Sequence, residues 1–365
     1  MQVIANREAL AEAITIAQGV VASRTPKPIL QCVKLSATTD GLLLTATDLE
    51  VGIRCMVKQV DVTAPGEAVV PADKLSQIVR ESADETLQVE SDAERCHIRG
   101  QDSHFQMYGQ DPRDFPPVAE LEGAPDLEVE AGILHKLIGQ TLYAAAKENT
   151  RYAINGILWE RKGKKLQLVA TDGRRLARAS GAVQKSSGAD SSVIAPAKSM
   201  SVLLRLLTDP AATVGVKFLP NQLVIQCGQA TLSSALAEGS FPDYEQVVPR
   251  DNEKKVELDT QEFYSAVRRA ALLTGDQSKG VRLSFKRDAL VLSSRAPEQG
   301  EATISMKVQY AGEPIEIGFN PTFLTDALKV LDAPMVTLEL KEANRPGVLR
   351  MGQDFLYVVM PVSLS

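Results

Sequence analysis

Few residues in this 365-residue chain have the types and spacing to do chemistry. The most suggestive are two aspartates in matching settings: Asp48 in Leu43–Ile53, LLTATDLEVGI, and Asp172 in Leu166–Ala177, LQLVATDGRRLA. Both follow Ala-Thr at the end of an apolar alternation, and a carboxylate pair on equivalent turns could act as general acid and base in a hydrolase or nuclease. The competing expectation is that each carboxylate accepts hydrogen bonds from its own turn, as strand-ending aspartates commonly do, with Asp172-Gly173 suiting a turn that needs positive φ. His97, His104 and His135 sit in unrelated settings, match no metal spacing and are expected to be structural. Cys32, Cys55, Cys96 and Cys227 are far apart with no CxxC pair, which predicts reduced, mostly buried thiols in a cytoplasmic protein. The sequence has no phosphate loop ending in Gly-Lys-Ser/Thr, no Gly-x-Gly-x-x-Gly turn after a strand and no Gly-x-Ser-x-Gly elbow. Neither a catalytic apparatus, a metal nor a cofactor is predicted.

The elements that position these aspartates are themselves repeated. From Ala46 to Ala170 the step is 124 residues. Pro71 in VVPADKL answers Pro196 in IAPAKSM and Pro321 in GFNPTFL, and Phe115-Pro116-Pro117 answers Phe241-Pro242-Asp243. The third copy has lost the turn, with Ser293-Ser294-Arg295 in its place. A period this long is the size of a whole domain, so the chain reads as three copies of one domain: 1–124, 125–252 and 253–365.

Within each copy two similar halves open with a helical pattern and continue into alternating strands. Asn6 can cap a helix with apolar positions Leu10, Ile14, Ala17 and Val21. Further helices are predicted over Ile133–Ala146, Ser199–Leu207, Gln261–Thr274 and Thr322–Leu331, with another entered at VVPADKLSQIVRES. The fold class is α+β: six βαββ-like units in pseudo-twofold pairs, with helices on one side of antiparallel sheets.

Composition is that of a soluble protein: 44% hydrophobic and 24% charged residues, no run of the ~20 apolar residues a membrane span needs, and no secretory signal in MQVIANREAL. The net charge of −6 taken alone argues against nucleic acid. Its distribution is uneven. Helical segments carry Arg7, Lys74, Arg80, Lys136, Lys147, Lys198, Arg205, Arg268, Arg269 and Lys329, while acids crowd into Glu81–Glu94 and Glu120–Glu130. Each helix buries one face, so these cations share the opposite one.

Read together, VATDGRRLA at 169–177, SFPDYEQVVP at 240–249, YVVMPVSL at 357–364, the half-domain repeats and the three-domain length resemble the bacterial sliding clamps, the β subunits of DNA polymerase III. The resemblance covers the whole chain. It implies the DNA clamp fold, with two chains joined head to tail in a ring whose helices line a central channel around duplex DNA. Size agrees: domains with a radius of gyration near ~13 Å leave almost no hole in a ring of three and a hole about one domain wide in a ring of six. A channel that must slide offers diffuse positive charge to phosphates and no base contacts.

The resemblance also implies site residues. For DNA these are Arg24 in the loop SRTPKP, Lys74, Arg80, Lys136, Tyr152, Lys198 and Arg205. For the dimer interface they are Phe105 on the edge strand Ser103–Gly109, facing Leu272 and Leu273 of the third domain. A partner-peptide pocket between domains two and three is implied at Ile154, Thr171, Gly173, Arg174, Arg175 and Leu176. It continues through Pro242, Val247, Asn320 and Phe323 to Val358, Val359, Met360, Pro361 and Val362. There a short peptide, often with Gln first and Leu and Phe later, would dock from DNA polymerase III alpha and other polymerases, the clamp-loader complex, or mismatch-repair and ligase-type proteins. Arg174 stands where the family often has His, and Gln246 where Arg is frequent, so the preferred peptide is expected to shift. A clamp-like paralogue with a specialised role is compatible with the same departures. The implied function is a non-catalytic processivity factor, without cofactor or membrane partner.

Overall fold

The computed structural model describes residues 1–22, 24–92, 94–147, 153–275, 280–297 and 299–363. Tyr152, one of the expected DNA contacts, lies outside them. Six α-helices are described: α1 (Arg7–Gln18), α2 (Ala72–Glu81), α3 (Ala131–Gly139), α4 (Ala197–Leu206), α5 (Thr260–Ala270) and α6 (Pro321–Lys329). Their starts follow the capping chemistry in the sequence. Asn6 Oδ1 accepts from Ala9 N at 3.0 Å, Asp259 Oδ1 from Glu262 N at 2.8 Å, and Asn320 Oδ1 from Thr322 N at 2.9 Å, each satisfying a donor the first turn leaves free. In α1 the buried residues are Leu10, Ala13, Ile14 and Ala17; Val21, expected on the same stripe, lies past the helix end at Gln18 and is half-buried.

Two expected helices end early. The chain leaves α3 at Gly139 and makes a separate 3-10 turn over Leu142–Ala144. Thr141 Oγ1 donates back to Leu137 O at 2.8 Å, a competing bond that disfavours continuation. After α5 a 3-10 turn, Ala271–Leu273, leaves Leu272 76% exposed, not in a helix core.

The repeat unit also has more strands than expected. Each helix is preceded by a strand and followed by three, so the unit is βαβββ and not βαββ. The opening strands, such as Gln2–Asn6 and Leu127–Glu130, are too short to show alternation. The third strand of the first halves (Val51–Val57, Arg175–Ala182, Gly300–Lys307) is polar or glycine-containing and reads poorly as a strand. All described pairings are antiparallel, consistent with an α+β fold.

The chain forms two compact units. One contains Met1–His135, Val183–Ala189 and Lys198–Leu236; the other contains Lys136–Ala182, Asp190–Ala197 and Ala237–Ser365. The first unit holds a five-stranded sheet and a nine-stranded one. In the nine-stranded sheet Val51–Val57 pairs with Ala230–Ala235, carrying the sheet from first-copy strands to second-copy strands. The second unit holds an eight-stranded and a four-stranded sheet, and in the former Arg175–Ala182 pairs with Phe355–Val359 in the same way. Among the described strands, the five-stranded sheet ends at His104–Tyr108 and the four-stranded sheet at Gly300–Lys307, each paired to a strand on one side only. Its opposite edge, Ile315–Phe319, accepts Val362 N on Gly318 O at 2.9 Å.

The histidines correct one expectation. His97 and His104 are not in unrelated settings: adjacent strands bring His97 Nδ1 within 3.0 Å of His104 Nε2.

Cysteine burial yields a first prediction. Burial raises the thiols of Cys32 to about 11 and of Cys55 and Cys96 to about 12, with Asp73 and Glu12 adding to the first two. The nucleophile is the thiolate. Ellman's reagent at pH 8 is therefore expected to modify at most one thiol of the native protein, the half-buried Cys227, and all four after denaturation. Two or more fast native reactions would contradict this packing.

Candidate functional site

The second unit contains a cavity of about 680 Å3 beside the Ala-Thr-Asp-Gly turn. Its walls come from four places. Thr171, Gly173, Arg174, Arg175 and Leu176 belong to the turn, and Ile154 precedes the strand Gly156–Lys162. Pro242, Tyr244, Val247 and Val248 lie on the connecting segment; Val358 and Met360 lie on or just past the last strand. The turn is held by its own side chains. Thr171 Oγ1 donates to Arg175 O at 2.6 Å and accepts from Gly173 N at 3.1 Å. Asp172 Oδ1 accepts from Arg174 N at 3.0 Å and Arg175 N at 3.1 Å, the backbone role expected of a turn aspartate. Gly173 has φ 85°, and a Cβ there would meet nothing within 4 Å, so the cavity is open above it.

Arg175 ties this wall to α6. Its Nε donates to Asp172 Oδ2 at 3.0 Å, Nη1 to Asp326 Oδ2 at 2.7 Å and Nη2 to Tyr143 O at 2.7 Å. The guanidinium lies 4.5 Å from the Phe323 ring centroid, a cation–π distance. Behind the floor, Tyr244 donates to Glu160 Oε2 at 2.6 Å while Gln167 Nε2 donates to the Tyr244 oxygen at 2.7 Å. Burial, then the bond to Glu160, pushes the phenol's pKa well above its usual value, so it stays a neutral donor. Val169, Leu176, Tyr244, Leu356 and Val358 form one apolar cluster under the cavity.

Of the residues expected in the pocket, Ile154, Thr171, Gly173, Arg174, Arg175, Leu176, Pro242, Val247, Val358 and Met360 line this cavity. Pro361 and Val362 line a neighbouring groove of about 550 Å3, which shares Met360 and Asn344 with it. Val359 is wholly buried in its strand, Asn320 caps α6, and Phe323 stacks on Arg175. The cavity also has a polar extension, Asn252, Lys341, Asn344 and Arg345, which sequence reading missed because these residues come from a hairpin and a linker with no motif of their own.

Models of the DNA polymerase III beta subunit's N-terminal, central and C-terminal domains match residues 1–119, 128–243 and 245–363. The chain belongs to the DNA polymerase III beta subunit family, the bacterial sliding clamps. The beta sliding clamp of Pseudomonas aeruginosa is 35% identical over 98% of this chain and 99% of its own length. That of Chlamydia pneumoniae is 30% identical over 100% of this chain and 99% of its own. Among solved structures, the Bacillus subtilis sliding clamp aligns over 100% of both chains with TM-score 0.95 at 27% identity. A Pseudomonas aeruginosa clamp bound to griselimycin aligns over 100% of both with TM-score 0.94 at 35% identity. The fold is therefore the three-domain clamp fold. The sliding-clamp family consists of non-catalytic processivity factors of DNA replication, whose partners are DNA and polymerase.

The basic residues expected at the DNA face of such a clamp are on or near the helices. Arg24 is exposed in its loop. Lys74 and Arg80 are on α2, where Arg80 donates to Gln18 Oε1 at 3.2 Å. Lys198 and Arg205 are on α4 and Lys136 on α3. Three of these cations have acidic partners: Lys74 has Asp73 at 4.0 Å, Lys136 has Asp332 at 3.0 Å, and Lys198 has Asp48. No described helix is long and apolar enough to cross a membrane.

Proposed function

We propose that two copies of this cytoplasmic chain close head to tail into a ring of six domains, three per chain divided near 124 and 252, which slides on duplex DNA. The reading is carried by one observation: each unit presents an uncovered sheet edge with large apolar side chains at or beside it. At His104–Tyr108 these are Phe105, 39% exposed, and Tyr108, 74% exposed. Beside Gly300–Lys307 lies Leu272, 76% exposed, with Leu273 packed near Gly300. Unpaired edges are a liability for an isolated protein, and pairing one to the other across two joints satisfies both. Arg24, Lys74, Arg80, Lys136, Lys198 and Arg205 then give the hole its diffuse attraction for phosphates, and topology replaces tight grip.

In the same reading the cavity beside Gly173 takes a short apolar peptide. Its partners are DNA polymerase III alpha and other polymerases, the clamp loader, and mismatch-repair and ligase-type proteins. Supporting this are its volume of about 680 Å3, its Leu176–Val358–Met360 floor and the cations Arg174 and Arg345 at its margin. An adaptable Met beside fixed Val suits several related peptides. Held on the ring, a polymerase gains local concentration at the primer end.

The deciding experiment is sedimentation followed by retention on DNA. A mass near twice 39.4 kDa, with loaded protein held on nicked circles and lost from linear ends, is expected. A monomer retained equally and salt-sensitively on both forms would overturn the ring. For the pocket, Met360→Ala is expected to weaken a Gln-, Leu- and Phe-containing peptide about tenfold, from ~1.4 kcal/mol of lost burial. Deletion of 361–365 should weaken it further, with the dimer unchanged in both variants. Unaltered affinity in both would remove the peptide from this site.

A further inference from the structure

The turn beside the cavity has a structural twin in the first unit. Thr47 Oγ1 donates to Val51 O at 2.9 Å and accepts from Leu49 N at 3.0 Å. Asp48 Oδ1 accepts from Glu50 N at 3.0 Å and Val51 N at 2.7 Å. These are the four bonds made by Thr171 and Asp172, and φ is 81° at Leu49 against 85° at Gly173. The following strands pair alike: Gly52 opposite Ser233 as Leu176 is opposite Val358. Ala235 N donates to Glu50 O at 2.7 Å, as Met360 N donates to Arg174 O at 2.9 Å. The correspondence is thus fixed residue by residue.

Where the second unit has a cavity of about 680 Å3, this twin has one of about 300 Å3. Four positions differ between the two linings, and two side chains, Leu49 and Val118, account for the lost volume. Leu49 replaces Gly173, so a branched side chain, 54% exposed, lines the mouth at the position that is open above the glycine. Leucine disfavours positive φ, so a side chain is held here against the backbone's preference. Gly52 replaces Leu176, and the vacated space is taken by Val118, whose Cγ1 would lie 2.6 Å from a Cβ at Gly52. Ser233 and Ala235 replace Val358 and Met360, removing apolar floor.

We propose that Leu49 and Val118 are specificity-determining residues that close this copy of the groove, so that each chain captures a peptide at only one of its two equivalent turns. The inference rests on the peptide reading of the open cavity. It assigns roles to two residues that do not line that cavity.

The probe is a fluorescein-labelled pentapeptide with Gln first and Leu and Phe in its last positions. Wild-type protein is expected to bind one per chain, with amide-exchange protection at 171–176 and 358–360 and none at 47–52 or 233–235. The double variant Leu49→Gly, Val118→Ala is expected to bind a second, weaker copy. In the reverse direction, Gly173→Leu copies a side chain the chain already tolerates at this φ, and is expected to reduce affinity at least about tenfold. A second site on wild-type protein, a folded double variant still at one per chain, or a Gly173→Leu protein binding as wild type would each overturn the proposal. Should Val118→Ala unfold the unit, the exchange pattern and Gly173→Leu still decide. Absence of any wild-type binding would count against the peptide reading itself.

Discussion

Arg175→Ala is expected to lower the stability of the second unit by about 3 kcal/mol and to loosen the cavity proposed for peptide with it. The guanidinium side chain is only 8% exposed and bridges two carboxylates, on the turn and on α6. Its removal leaves Asp172 and Asp326 near one another without a cation, the costly way to break a buried pair. The lower end of the usual 3–5 kcal/mol applies because Asp326, 35% exposed, recovers water. Arg175→Lys should recover part of the loss, since an ammonium cannot bridge both acids and the Tyr143 carbonyl in one plane. Arg175→Met keeps the stem and should remain close to alanine. The readout is selective: the chain's one tryptophan, Trp159, is fully buried in the second unit, so its fluorescence follows that unit's urea transition. An unchanged midpoint in Arg175→Ala would show that the network contributes nothing.

A second large effect is expected at the proposed ring joint. Leu272→Asp combined with Phe105→Asp should turn a particle of about twice 39.4 kDa into the single chain. Apolar anchors at the centre of an interface commonly carry 2 kcal/mol or more apiece, so two charged replacements should raise the dissociation constant roughly a thousandfold. Leu272 is 76% exposed within its own chain, so its replacement should leave folding intact. Retention on circular DNA should disappear together with the dimer. A double variant that sediments as wild type would place the joint elsewhere.

Much of this architecture was readable because the repeats carry it. The Ala-Thr-Asp turns, the prolines that enter helices and the Asn6 cap depend on local chemistry, and local chemistry is written in contiguous residues. What escaped reading depends on register. The strand Arg175–Ala182 is hidden by its arginines: Arg175 is buried only because it pairs with acids, while Leu176, Ala177 and Ala179 are buried on the two faces of the sheet. The contact between His97 and His104 exists only because two neighbouring strands pair at a particular offset, with Arg99 opposite His104. Likewise Lys341 and Arg345 join the cavity through a hairpin whose position no spacing predicts. Arg175 was legible as a lining residue, but its tie to Asp326, 151 positions away, was not.

The sheets that run on from one copy into the next have a consequence for ancestry. Cutting the chain at a repeat boundary would strip a partner from Val51–Val57 or from Phe355–Val359 and leave a raw sheet edge on each fragment. The piece that was duplicated is therefore not the piece that folds. A gene fragment carrying a single copy would encode an aggregation-prone half-product, so copies can be gained or lost only where the new neighbour supplies a matching edge.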